Sequence, residues 1–326
     1  MLNKINIDDK AVPVILLLLL VATFGLLIPK LGFYWDDWPV VYMTQTQGNA
    51  GFWDFYQYDR PFSAWTYILS APLLGTRPIV WHIFSLILRW LTVVFAWLSL
   101  KKIWPDKPRQ VFWIALLFSV YPIFNQQPVA VAYSQHWICY LFYFISIYLM
   151  LLSQEQKRFY YPLIFLSASF SFIEMFAMEY FLGLELFRPF ILWTYHSYNG
   201  NQSKRKTIFK KVLSSGLPFI ALLGVYVVWR IFFLELAGPD PNNPVIFKQL
   251  FLAPIQILID LLQKAVQDFI YFLTSWFVTI SPADIDLRRP FFIASTGVVI
   301  VVSGLLWVVL KQYKPSLQST KNTRNN

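Results

Sequence analysis

Two adjacent carboxylates, Asp36 and Asp37, stand inside the stretch Phe33-Tyr34-Trp35-Asp36-Asp37-Trp38-Pro39. A carboxylate within hydrogen-bond reach of a hydroxyl or amine is the minimal general base, contributing ~10²–10⁴-fold. Neighbouring side chains in an extended loop point to opposite sides, so only one of the pair can address an acceptor. The plainer reading is a polar turn that ends a helix among interface aromatics. Further along the chain, Asp59-Arg60-Pro61, Glu174 with Glu179, and Arg288-Arg289 form three more clusters of ionisable residues. Guanidinium forks match phosphate and carboxylate oxygens, which makes Arg60, Arg288 and Arg289 candidates for holding an anion. Charge at membrane depth is costly and persists where it pairs or faces a wet cavity, so four such clusters on one side predict one polar cavity.

The elements that must position these residues are membrane helices. Of the 326 residues 57% are hydrophobic, 19% aromatic and only 13% charged, which excludes an ordinary soluble domain. Apolar runs predict spanning helices at about 11–29, 79–100, 111–124, 129–152, 162–178, 180–196, 213–233 and 291–310. The expected fold is therefore an all-α polytopic membrane protein of about eight spans and a single membrane domain. The first run is too long for a signal-peptide core and is read as an anchor. Seventeen of the 27 basic residues fall in alternate connections and at both ends, which the positive-inside rule places in the cytoplasm. The net charge of +10 is thus topology and not a nucleic-acid footprint. Two segments, 30–78 and 234–290, are left as long outer loops, and 311–326 as a basic cytoplasmic tail. The first loop carries Gly48 to Gly51, read as a flexible turn, and a helix from Pro61 to about Leu74. The second opens on the irregular Gly238 to Pro244. It continues as an amphipathic helix with Asp260, Lys264 and Asp268 on one face. Its apolar extension, 269–280, is expected to lie on or re-enter the membrane and not to cross it.

The order of features resembles the GT-C superfamily of membrane glycosyltransferases, nearest the protein mannosyltransferase and aminoarabinose transferase branch. The shared order is a first helix, Tyr34-Trp35-Asp36-Asp37, Arg60-Pro61 opening a helix, a helix ending in Lys101-Lys102, Tyr121-Pro122, and Met178-Glu179-Tyr180 between helices. The likeness covers roughly residues 10–235, a seven-helix module over 11–233. It implies a sugar donor linked to a polyprenyl phosphate, at the outer face of the plasma (inner) membrane, with membrane lipid as partner. An acidic residue of the first outer loop serves as base, which maps onto Asp36 or Asp37 and favours Asp36. Arg60, Asp59, Glu179, Arg288 and Arg289 become substrate-binding candidates, with a divalent metal left open as cofactor. The chain departs from the family in having Met178-Glu179 where many relatives have Lys-Glu. It also has Tyr121-Pro122 with Asn125-Gln126-Gln127 where relatives often have a His-Pro turn and a nearby Glu.

Two rival function classes remain open. A flippase for lipid-linked glycans would favour inverted repeats and broken helices at matching positions, which the sequence does not display. A catalytically inert relative serving as a membrane partner is the other alternative. Glu185 and Arg188, three residues apart on a helix, are expected to neutralise each other. Arg89 is expected to pair with an internal acid such as Glu185. His82, His136 and His196 have no metal-site spacing and are read as packing residues.

Overall fold

The computed structural model describes residues 9–58, 60–124, 126–199, 205–234, 252–278 and 288–312. Among these residues there is no strand, and five helices are long and apolar enough to cross a membrane: Asp9–Lys30, Pro78–Ile103, Ser134–Glu155, Lys157–Ala177 and Arg205–Phe232. The protein is a helical membrane protein.

Helix α1 (Val12–Thr23) continues as 3-10 turns through Gly25–Lys30. Its apolar side, Val12, Leu16 and Leu19, packs on Val93 and Trp97 of α5 (Pro78–Ile103) and on Phe112 and Leu116 of α6 (Pro108–Ser119). The Trp90 indole donates to the Pro13 carbonyl at 2.8 Å, which fixes the depth of α1 against α5. Pro78 starts α5 where its missing N–H costs nothing, and Lys101 and Lys102 close it where the helix dipole favours cations.

Helices α7 (Ser134–Glu155) and α8 (Tyr160–Ala177) form an antiparallel hairpin at the centre. Small residues at their contact let the backbones approach, and Ser146 and Ser167 each donate to the other's carbonyl, at 2.6 and 2.7 Å. The chain then passes through the short α9 (Leu182–Glu185) to α10 (Arg188–Asn199) and α11 (Arg205–Phe232). Two further helices, α12 (Pro254–Val278) and α13 (Pro290–Gln312), complete the described elements.

One end of the bundle collects the lysines: Lys101 meets Asp9, Lys102 meets Glu155, and the Tyr198 hydroxyl donates to Asp106. The opposite end is capped by α2 (Asp37–Thr46), α3 (Gly48–Tyr56) and α4 (Ala64–Leu74). Val40, Met43, Phe52 and Tyr67 of this cap close over Trp81 of α5 and Ala130-Val131 of the loop before α7.

Several boundaries differ from the sequence expectation. Residues 48–51 are the first turn of α3 and not a flexible turn; Gly48, at φ 62°, makes the tight break from α2 that a residue with a Cβ would strain. The run 111–124 is helical only to Ser119, so α6 has 12 residues and a length of ~18 Å, well short of ~30 Å of hydrocarbon. Residues 130–133 are turns, and α7 begins at Ser134. The run 180–196 is broken at Leu186-Phe187, ahead of Pro189, into α9 and α10. The amphipathic 254–268 and the described part of its apolar continuation, 269–278, are one uninterrupted helix, α12. The irregular Gly238 to Pro244 segment and the tail beyond 312 lie outside the described residues.

Candidate functional site

The turn after the first span separates the two carboxylates. Trp35 adopts φ 46°, a left-handed conformation uncommon for an aromatic residue. Asp37 N donates to the Tyr34 carbonyl at 2.9 Å, closing the turn. Asp36 is left exposed, whereas Asp37 is fully buried. Oδ2 of Asp37 accepts from Tyr34 N at 3.2 Å, and Oδ1 from Val131 N and Ala132 N, both at 2.9 Å. Burial pushes the Asp37 carboxyl above its ordinary range, while these three backbone donors pull it back. Asp37 thus straps the first loop to the loop before α7, and Asp36 is the carboxylate that faces outward.

The strap brings Tyr133 near Asp36. Burial first, and then the charge of Asp36, raises the Tyr133 phenol above its ordinary value. The ring of His136 stacks on Tyr133 at 4.6 Å and lies 6.4 Å from that of Tyr180. The buried Nδ1 of His136 has no hydrogen-bond partner.

Arg60 completes the cluster from α4's N-terminal side. Its Nε reaches both oxygens of Glu179 at 3.0 and 2.9 Å, Nη2 lies 2.8 Å from Oε1, and Nη2 also donates to the Tyr180 hydroxyl at 2.8 Å. A fork held this way has one orientation. The turn that follows it is pinned as well: Ser63 Oγ donates to the Ala177 carbonyl, and Gln135 Nε2 donates to the Ser63 carbonyl at 3.1 Å and to Thr66 Oγ1 at 2.7 Å.

Below Tyr133 and His136 a cleft of about 130 Å³ runs into the bundle, walled by Phe124, Trp137 and Tyr140 and by the amides of Gln126 and Gln127. Behind Gln127 lies Arg89, fully buried and roughly 16 Å along α5 from Pro78. Arg89 does not pair with Glu185. Its Nε and Nη2 donate to the Ser119 carbonyl at 3.1 and 2.8 Å, and Nη1 donates to Gln127 Oε1 at 3.1 Å. The guanidinium therefore caps α6 where it stops inside the bundle, satisfying a carbonyl at the negative end of the helix dipole. Phe24 and Trp137 cover it at 3.9 and 4.9 Å from their ring centres.

Glu185 instead pairs with Arg188, as its helical spacing implied: Nε donates to Oε2 at 2.6 Å and Nη2 to Oε1. Glu174 belongs with them and not with Glu179. It is fully buried, and its electrostatic neighbours are Glu185 and Arg188.

Of the residues singled out from sequence, Asp36, Asp37, Arg60 and Glu179 converge on the capped end. Asp59 lies outside the described residues, and Arg288 and Arg289 lead into α13, which packs on α1 through Val302 and Leu306. Sequence reasoning passed over Tyr133, read His136 as a packing residue, and met Gln127 only as a departure from the family pattern. The available signal was a run of polar side chains, Gln126, Gln127, Tyr133, Gln135 and His136, ahead of an apolar span. Among the described residues no group of three or more His, Cys, Asp or Glu side chains is placed to hold a metal. No family model, curated protein or solved structure matches the chain.

Proposed function

We propose that the protein is a membrane glycosyltransferase of GT-C type, moving a sugar from a polyprenyl-phosphate donor to an acceptor at the outer face, with Asp36 as base. The observation that carries this reading is an outward-facing carboxylate beside an aromatic, amide-lined cleft and an oriented guanidinium, all at the end away from the lysines. In the reaction the acceptor's O–H or N–H gives its proton to Asp36 as the heteroatom attacks the anomeric carbon. The bond from that carbon to the phosphate oxygen breaks, and the phosphate leaves with the electron pair. Arg60 stands beside the charge that grows on the phosphate. A single displacement inverts the anomeric configuration. The donor's lipid tail is the reason for a site at the membrane surface.

The orientation that goes with this function puts the lysine end and both termini in the cytoplasm, with the cap of α2, α3 and α4 outside. The native Cys139 is buried and gives no background labelling. A cysteine placed at the exposed Asn49 should react with an impermeant thiol reagent in intact cells, and one at the exposed Gln110 should not. The reverse pattern would invert the topology.

The donor itself is tested at Arg60. Lysine keeps the charge but has no fork, so it cannot hold Glu179 and Tyr180 in the same plane while meeting a phosphate. Arg60→Lys should insert and fold normally yet bind a polyprenyl-phosphate sugar roughly tenfold more weakly, ~1.4 kcal/mol. Undiminished binding removes Arg60 from the site. A native protein that binds no such donor would favour the inert-partner alternative.

A further inference from the structure

Where α8, α9 and α10 meet, the hydrogen-bond donors converge on one carboxyl and pass over its neighbour. Arg188 gives its Nε and Nη2 to the two oxygens of Glu185 and its Nη1 to Ser146 Oγ at 3.1 Å, and none of these bonds goes to Glu174. Glu174 is fully buried, and the group within hydrogen-bond reach of its carboxyl is the carboxyl of Glu185. Ionised carboxylates only accept, so a hydrogen bond between two of them requires a proton. The other titratable groups that face the pair are Tyr143 and Cys139 of α7, both uncharged at neutral pH. From α11 the Phe219 ring covers the Arg188 guanidinium at 4.0 Å from its centre, and among the described residues no second cation stands beside Glu174. The balance is two carboxyls against one guanidinium.

We propose that Glu174 and Glu185 form a proton-binding site inside the bundle, in which the Glu174 O–H donates to the Glu185 carboxylate and Arg188 balances the charge that remains. Ionising both carboxyls would leave one negative charge without a counter-ion in a buried place, and two like charges side by side cannot both persist there. With one proton added the cluster is neutral and each of its hydrogen bonds has a donor. The proton comes from water, and the bond made is the carboxylic O–H. Exchange has a route: a cleft of about 80 Å³ reaches Glu185 and Arg188 between Pro189, Gly216 and Phe219, with room for water. Folding then takes up a proton. The unfolded chain releases it in the ordinary carboxylate range and the folded chain keeps it, so rising pH favours unfolding by about tenfold per pH unit until the folded site empties too. The site is separate from the capped end and does not depend on the reaction assigned there.

The experiment is infrared difference spectroscopy on the full-length protein in lipid nanodiscs at neutral pH, comparing the native chain with Glu174→Gln and with Glu185→Gln. Both amides keep the side chain's size and a hydrogen-bonding end. The native spectrum should contain the carbonyl stretch of an un-ionised carboxylic acid, and both variants should lack it. Glu174→Gln removes the group that carries the proton. Glu185→Gln leaves one carboxyl facing one guanidinium, so Glu174 ionises and pairs with Arg188. Either variant that folds suffices for the spectral comparison, and the native band can be sought without them. Above the ordinary carboxylate range, the native folding equilibrium should also fall about tenfold per pH unit relative to that of Glu174→Gln. A native protein without the acid band has both carboxyls ionised, which would overturn the site. A band that survives in Glu185→Gln would make Glu174 an acid protonated by burial alone and overturn the sharing. Equal pH slopes for the native chain and Glu174→Gln would overturn the uptake of a proton on folding.

Discussion

Asp36→Asn should lower sugar transfer by at least ~10² while leaving the protein folded, because it removes the base at nearly constant volume. The neighbouring Asp37→Asn should behave differently. Asp37 accepts three backbone N–H bonds, and an amide cannot accept all of them: its NH₂ would face a donor at either Tyr34 N or the Val131-Ala132 pair. A lost buried acceptor costs ~1–3 kcal/mol, so Asp37→Asn should lower thermal stability and loosen the loop that carries Tyr133. Activity loss in that variant should be smaller at low temperature, where the strap re-forms. Parallel transfer and melting measurements on the two variants decide between them. Equal, mild losses of activity with unchanged melting would mean that neither aspartate has the role assigned to it.

The largest effect on stability should come from Arg188→Met. Arg188 is buried with Glu185 and near Glu174, and it also donates to Ser146 Oγ at 3.1 Å. Removing it leaves two carboxyl groups in the bundle without their cation, and breaking a buried pair from one side costs ~3–5 kcal/mol. Removing both partners is a different matter. Glu185→Leu combined with Arg188→Met should recover much of that loss, since apolar side chains of similar volume replace the pair with little penalty. Denaturant unfolding in nanodiscs measures both. A single variant within ~1 kcal/mol of the native protein would show that the pair is hydrated and carries no such penalty.

What could be read from the sequence follows from which interactions are local. The long spans announced themselves because twenty or so apolar residues between charged ends have one outcome in lipid. The Glu185–Arg188 pair was legible for the same reason, since helical spacing alone brings the two together. The end of α6 was not, because the residues after Ser119 continue apolar through Val120 and Tyr121. The helix stops there with its terminal carbonyl taken by Arg89, 30 residues away. The partner expected for Arg89 was wrong on the same account: a backbone oxygen leaves no trace in the side-chain pattern. His136 read as packing because its neighbours, Tyr133 apart, come from distant segments. Arg60 and Glu179 were each visible in separate charge clusters expected to share a cavity, but their direct union across 119 positions belongs to the fold.

Arg89 also has a bearing on how the chain enters the bilayer. On its own, a helix with an arginine near its middle is expensive to release into lipid, by ~2.5–3.5 kcal/mol on insertion scales. The groups that solvate this one are not on α5. Phe24 is made before it, and Ser119, Gln127 and Trp137 are made after it. During synthesis α5 therefore reaches the membrane with only an aromatic face to cover its charge, and it gains its hydrogen bonds once α6 and the following loop have been translated. Arg89 makes the release of α5 on its own less favourable by that amount, and the contacts of α1, α6 and α7 recover it as the group assembles.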